Sequence, residues 1–249
     1  MWTRMELLHL ALKQKPFFSP GSKDQYHYTN TDYFLAGMVI ESVTDQPVEE
    51  SMTRIFKLAN LTPDNIYYPS LNHPIPLEIK QRIPQSYVPD NADLPALWMD
   101  TYRAFPEVQI PGSTPIKAYQ VSELDSIMDG YASTAGAIAS NTPTIVNWID
   151  AIFSNKIINQ KSLDQWLTGI KTNQGFQYGL GITIGKLKEF NQTLISHDGS
   201  LLGYTANMVM LKPSNIIIAV ATNSNNNAVS IDGEIMIGLL TILERRQLI

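Results

Sequence analysis

Residues 178–221 read YGLGITIGKLKEFNQTLISHDGSLLGYTANMVMLKPSNIIIAVA. Three strand candidates lie in this stretch: Tyr178–Lys186, Thr193–Ser196 and Asn207–Leu211. A fourth, Ile216–Ala221, is apolar enough to be buried on both faces. Turn residues separate the four, which is the pattern of an antiparallel meander. Downstream, Ile231 to Arg246 has the apolar spacing of a helix that packs on such a sheet. The upstream part reads as helical. Residues 4–13 form a short helix with Met5, Leu8 and Leu12 on one face, stopped by Pro16 and the turn Ser19-Pro20-Gly21. After Tyr28-Thr29-Asn30, a second helix spaces Tyr33, Gly37, Ile40 and Glu41 at helical intervals. Pro47 suits the first turn of a third, whose stripe is Val48, Met52, Ile55, Phe56 and Ala59. The fold class expected is α+β, an antiparallel sheet with flanking helices.

Between these parts the chain changes character. Ten of its fifteen prolines fall from Pro63 to Pro115, without a sustained period. Tyr67, Tyr68, Tyr87, Trp98, Tyr102 and Phe105 lie in the same stretch, and a disordered linker does not carry so many aromatics. Residues 61–130 therefore read as an irregular Pro- and aromatic-rich insertion within a single domain spanning 1–249. Long irregular segments of this kind tend to be binding loops. Helical signals return at Ser140-Asn141-Thr142-Pro143, a cap followed by an early proline. The stripe Ile145, Val146, Trp148, Ile149, Ile152 and Phe153 follows, then a shorter helix over Ser162–Leu167.

Composition narrows the function classes. The 249 residues are 44% hydrophobic and 16% charged, enough for a sizeable core. A net charge of −5 gives no basic surface for nucleic acid or anionic lipid. The absence of cysteine removes disulfides, thiolate metal sites and cysteine nucleophiles. The four histidines (His9, His27, His73 and His197) show no paired metal-ligand spacing, so neither a zinc site nor another metal or cofactor is expected. The longest apolar run, Ile235 to Leu243, falls far short of the ~20 residues that span a bilayer. The N-terminal stretch MWTRMELLHLALKQK has Arg4 and Glu6 inside its apolar pattern and no small-residue cleavage site, unlike a signal peptide.

Three local patterns carry chemistry. The first is Phe18-Ser19-Pro20-Gly21-Ser22, followed by Tyr26-His27-Tyr28-Thr29-Asn30 and a helix running through Tyr33, Leu35 and Gly37 to Ile40-Glu41. The second is Tyr131-Ala132-Ser133-Thr134-Ala135-Gly136 through Ser140, leading to Trp148. The third is His197-Asp198-Gly199-Ser200-Leu201-Leu202-Gly203-Tyr204. In this order, over residues 17–60 and 131–224, the set resembles the serine β-lactamase and penicillin-binding-protein family: class C β-lactamases, D-alanyl-D-alanine carboxypeptidases and related esterases. The first pattern is similar to that family's Tyr-x-Asn region, and the third to its His-x-Gly. The resemblance implies a β-lactamase/transpeptidase-like fold and hydrolysis of amide or ester bonds (β-lactam, D-Ala-D-Ala peptide or ester) through an acyl-serine. It implies that Tyr28 is the base or proton shuttle and that Asn30 binds the substrate amide. His197 would support the tyrosinate or a substrate carboxylate, with Gly199 and Ser200 on the substrate side. A periplasmic or extracellular location is implied as well.

Acyl transfer by serine needs a base within reach of the hydroxyl and donors aimed at the developing oxyanion. A free tyrosine has a pKa of about 10 and is a poor base at neutral pH without a neighbouring cation. In the family that cation is the lysine of Ser-x-x-Lys, and this sequence contains no Ser-x-x-Lys. Ser22-Lys23 and Lys161-Ser162 have the wrong spacing, and Thr168-Gly169-Ile170-Lys171 begins with threonine. The expectation is an N-terminally truncated member whose nucleophile and lysine lie outside this chain. Two rival readings are an inactive ligand- or peptide-binding homologue and a product of a longer enzyme that self-associates through an exposed sheet edge. A third, an unrelated esterase pairing His197 with Asp198, is disfavoured because adjacent residues rarely act as base and orienter.

Overall fold

The meander forms, and its strands run past the turn residues that bounded the candidates. The computed structural model describes residues 4–70, 73–89, 107–109, 117–121, 132–201, 203–224 and 231–249. Trp98, Tyr102, Phe105, Tyr131 and Leu202, named above, lie outside them. The first part of the chain holds helices α1 (Arg4–Leu12), α2 (Asn30–Thr44) and α3 (Val48–Leu58). Strand β1 (Ile66–Tyr67), helix α4 (Leu77–Lys80) and strands β2 (Ser86–Pro89), β3 (Glu107–Gln109), β4 (Lys117–Val121) and β5 (Ala139–Ser140) follow. Helices α5 (Thr142–Phe153) and α6 (Gln160–Trp166) lead into strands β6 (Ile170–Lys171), β7 (Gln177–Tyr178) and β8 (Thr183–Leu187). Strands β9 (Gln192–Leu201), β10 (Tyr204–Lys212) and β11 (Ile216–Thr222) and helix α7 (Ile231–Arg245) follow, and two 3₁₀ turns, Ser133–Ala135 and Lys188–Phe190, complete the described elements.

The main sheet has six strands in the order β11-β10-β9-β8-β7-β6, every pair antiparallel. Residues 178–186, read as one strand, divide between β7 and β8. Gly179-Leu180-Gly181 makes the turn between them, and Gly181 holds φ +81, a left-handed value suited to glycine. Strand β9 continues through Asp198 and Gly199 because β10 offers partners there, with Asn207 opposite Asp198 and Ala206 opposite Gly199. Ladder hydrogen bonds outweigh the weak strand preference of those two residues.

Side-chain alternation along β10 divides the core. Val209 and Leu211 join Val220 of β11 and Met236 and Leu240 of α7 on one face. Met210 joins Ile195 of β9, Ile182 and Ile149 of α5 on the other. The run Ile216–Ala221 is thus packed on both faces, with Ile217 toward α5 and Ile216 and Ile218 toward α7. A further cluster, Val48, Phe56, Ala59, Leu61, Ile66, Tyr68 and Ala151, joins α3 and β1 to α5. Trp148 contributes to this cluster and to the sheet core, meeting Phe56 edge to face at 6.0 Å. It couples the helical layer to the sheet.

Helix α1 departs from the amphipathic reading. Leu8 is buried, but Met5 and Leu12 are exposed: among the described residues the main packing of α1 is along α2, and one contact line covers one residue of the stripe. Within the stretch read as irregular, β2, β4 and β3 form a small antiparallel sheet and β1 pairs with β5. These strands have two to five residues, too short to show a period. The small sheet meets the β9–β10 hairpin: Tyr204 donates to the Pro84 carbonyl at 2.7 Å, and Gly203 sits so close that a Cβ would lie 2.9 Å from Ser86.

Candidate active site

The backbone around Tyr28 is set by the start of α2. Thr29 is extended (φ −141°) and its hydroxyl accepts from the Asp32 amide at 3.3 Å, so Thr29 is the helix cap. Asn30, which by residue type suits that role, is instead the first residue of the helix and lines the adjoining cleft. One turn on, Tyr33 projects beside Tyr28, with ring centroids 5.5 Å apart. Gly37 follows where α2 crosses the turn Ser133–Ala135; a Cβ there would lie 2.5 Å from Thr134 Cγ2. That close approach gives the second sequence pattern its structural role, holding α2 in place.

The third pattern reaches the same place from the sheet. His197, Asp198, Gly199 and Ser200 are consecutive on β9 and line the cleft with Tyr28 and Asn30. The cleft has a volume of about 1050 Å³. All five residues expected at the site are thus brought together. Tyr28 is 41% exposed and lines the cleft. At Gly199 a Cβ would meet no atom within 4 Å, so the glycine leaves open space beside the strand without any demand from packing.

Tyr33, part of the first pattern but given no role there, and Tyr178, outside all three patterns, connect the two halves. Tyr178, at the end of β7, places its hydroxyl 2.6 Å from the Tyr33 hydroxyl and 3.1 Å from His197 Nε2. Gly181, in the turn after β7, lies beside Tyr33, where a Cβ would make only an ordinary contact 3.7 Å from the hydroxyl, so its positive φ and not close packing calls for glycine. His197 Nδ1 lies 2.6 Å from the Asp198 backbone carbonyl. A carbonyl oxygen only accepts, so in the neutral ring Nδ1 carries the proton and Nε2 accepts from Tyr178. The Asp198 contact runs through its main chain, which removes that carboxylate as the orienting group of a His–Asp pair. Tyr26 and Phe176 extend the aromatic wall, with Tyr26 5.1 Å from the Tyr178 ring.

The electrostatics favour neutral phenols. Burial raises the Tyr28 pKa well above its ordinary value, reinforced by Tyr33 and by the Asp198 charge. Tyr33 moves the same way, through burial and its bond to Tyr178. Tyr178 is pushed up to about 12, chiefly by burial, although the hydrogen bond from Tyr33 opposes the rise. Among the described residues lining the cleft, the permanent cation is Arg82, and it is engaged by the Glu78 and Asp64 carbonyls. Also among the described residues, no cluster of three metal-ligating side chains occurs and no helix is long and apolar enough to cross a membrane.

Residues 1–238 match the family model described as Beta-lactamase. The chain belongs to the beta-lactamase family. Solved structures similar to this beta-lactamase-family chain include D-amino acid amidase from Ochrobactrum anthropi SV3 in complex with D-phenylalanine. That match has a TM-score of 0.72 and 21% identity over 99% of this chain and 65% of the amidase. A D-stereospecific amidohydrolase from a Streptomyces species matches with a TM-score of 0.69 and 21% identity, over 91% of this chain and 58% of that one. A penicillin-binding protein from Bacillus halodurans matches with a TM-score of 0.61 and 19% identity, over 96% and 62%. At such identities the likeness establishes the β-lactamase/transpeptidase-like fold. The chain spans less than two thirds of the length of each of these relatives.

Proposed function

We propose that this chain supplies the substrate-binding and proton-handling half of a serine-hydrolase site acting on amide or ester bonds. The observation that carries the reading is the convergence of Tyr28, Asn30 and His197 on one cleft, in a sequence that holds no Ser-x-x-Lys. In the complete site a serine and its lysine come from outside this sequence, and the hydrolysis runs through an acyl-serine. The substrate is a β-lactam, a D-Ala-D-Ala-type peptide, a D-amino-acid amide or a simple ester.

Roles follow from placement. The Asn30 carboxamide has one acceptor and two donor positions and lies at the cleft, where it can pair with a substrate amide. Gly199 and Ser200 offer an extended edge along β9 against which a substrate backbone can lie. Tyr26 and Phe176 present an aromatic wall for an apolar side chain. Tyr28 is the proton shuttle. With its pKa raised and no lysine beside it, the site as it stands in this chain binds without turning over, which also supports the reading of a binding homologue. Self-association belongs to the same reading, because among the described residues β11 ends the sheet order, and such an edge is where a second chain can add.

Covalent labelling tests this. After incubation with a fluorophosphonate probe or a penicillin, peptide mass spectrometry is expected to find no modified serine. A stoichiometric adduct on any serine of this chain would overturn the reading.

A further inference from the structure

The same cleft has a second polar end, away from the roles given above, where β1, β5 and the residues after α4 meet. From it we infer that Arg82 forms an anion subsite that selects amide or ester ligands carrying a carboxylate. The inference rests on the reading of the cleft as a site for such ligands and narrows their class.

Arg82 follows the single turn of α4, and its main chain is fixed there. Its amide donates to the Ile79 carbonyl at 2.9 Å. Ile79 and Ile83, on either side of it in the sequence, pack against the cluster of Ile75, Ala132 and Ala137. The side chain is held as well. Nε donates to the Glu78 carbonyl at 3.3 Å, and Nη2 donates to the Asp64 carbonyl. Main-chain carbonyls orient a guanidinium without neutralising it. Among the described residues no carboxylate forms an ion pair with Arg82, Glu78 and Asp64 included. Two of the five N–H donors of the guanidinium are engaged in this way, and three remain. A pre-oriented fork with its charge uncancelled matches a carboxylate in geometry as well as in sign.

Neighbouring residues complete this end. The β1–β5 ladder sets Ile66 opposite Ser140, and the Ser140 hydroxyl donates to the Asn65 carbonyl at 3.0 Å. Asn141 caps α5 through Oδ1, which accepts from the Thr144 amide at 3.0 Å, so its two N–H donors are left for a ligand. Asp64, Asn65, Arg82, Ser140 and Asn141 all line the cleft. The other candidate partner for a carboxylate is His197. Its Nδ1 is engaged by the Asp198 carbonyl at 2.6 Å and its Nε2 by the Tyr178 hydroxyl at 3.1 Å, so neither nitrogen has a proton to offer a ligand. The Asp198 carboxylate on the same strand repels an anion there. The carboxylate role that the sequence pattern suggests for His197 therefore falls to Arg82.

Three acetylated peptides test the subsite on the intact chain: N-acetyl-D-Ala-D-Ala, its C-terminal amide, and N-acetyl-D-Glu-D-alaninamide, whose carboxylate is on a side chain. Calorimetry on wild type is expected to favour one of the two acids over the neutral peptide by about tenfold, or ~1.4 kcal/mol. Which acid gains shows whether a chain end or a side chain reaches Arg82. Because Arg82 is exposed, the preference shrinks as salt is raised. The favoured acid moves the Arg82 Nε–H resonance, and the neutral peptide does not. Arg82→Gln abolishes the preference and leaves the affinity of the neutral peptide as it was; Arg82→Lys, with the charge but not the fork, keeps part of it. Equal affinity for all three peptides in wild type would overturn the subsite, as would an acid preference with an unmoved Arg82 resonance, and neither result needs a variant to fold. A folded Arg82→Gln protein that kept the preference would overturn it too. Equal binding with shifts at Tyr28 and Asn30 would sink the subsite and leave the reading of the cleft intact. Labelling of a serine in this chain would sink the functional reading and leave the acid preference untouched, so the two claims fail separately.

Discussion

At the residue scale, the site is a set of phenols kept neutral by burial. Folded-state pKa values raised above the unfolded value near 10 mean that the native state holds its tyrosine protons more tightly than the unfolded chain. Stability from this source is complete below about pH 10 and declines as pH rises, with the loss from Tyr178 complete once pH passes about 12. Urea unfolding at stepped pH is expected to show that decline, and Tyr178→Phe to flatten it. A variant curve as steep as wild type would contradict the assignment. Gly199 gives a second test at this scale. Because a Cβ there meets nothing, Gly199→Val is expected to keep the melting temperature while filling the cleft and weakening ligand binding by about tenfold, a ~1.4 kcal/mol effect. A large loss of stability would show that the open space is not what the glycine provides. Tyr28, Asn30, His197, Gly199 and Ser200 were legible in the sequence because each sits in a local pattern. The pairing of Tyr33, itself in the first pattern, with Tyr178 was not, because it spans 145 positions and exists only once α2 meets the sheet. The crowding of Tyr26, Tyr28 and Tyr33 was the one signal that pointed toward an aromatic cluster.

At the element scale, the start of α2 decides how Tyr28 and Asn30 are presented. Thr29→Ala removes the hydroxyl that caps the helix and is expected to cost about 1 kcal/mol. Asn30→Ala leaves that cap in place, so it should change stability by less than about 0.5 kcal/mol while lowering ligand affinity. Chemical denaturation of the two variants side by side separates the roles; a larger stability loss for Asn30→Ala would mean that Asn30 is the cap after all. Gly37→Val drives a side chain into Thr134 on a turn whose Ser133 already holds φ +36, leaving little room to yield. The expected cost is about 1–3 kcal/mol, as for overpacking elsewhere. Most helices were legible from their apolar spacing, though not the single-turn α4 or the exposed stripe of α1; α3 buries Val48 and Phe56 of its expected stripe, with Ala59 buried just past its end. The strand ends were less so. Asp198-Gly199 looks like a turn in isolation, yet β10 supplies backbone partners that carry β9 through it.

At the scale of the whole molecule, the sheet is held between α5 and α7, and β10 is its centre of packing. Leu211 is fully buried in the α7-facing cluster, so Leu211→Ala should cost about 2–5 kcal/mol, read from the unfolding midpoint. The antiparallel meander and its covering helix could be read from residues 178–246, where apolar alternation and turn residues agree. The small β2-β4-β3 sheet could not, because strands of three to five residues in a proline-rich stretch carry no periodic signal. The central claim is that one cleft, built jointly by α2 and β9, binds an amide substrate in a chain without its own nucleophile. It is tested most directly by following a D-amino-acid amide and the protein's amide resonances together in one NMR titration. The account predicts saturable shifts at Tyr28, Asn30, His197 and Gly199, with the ligand's amide intact throughout. Release of free D-amino acid, or saturation with shifts located elsewhere, would contradict it.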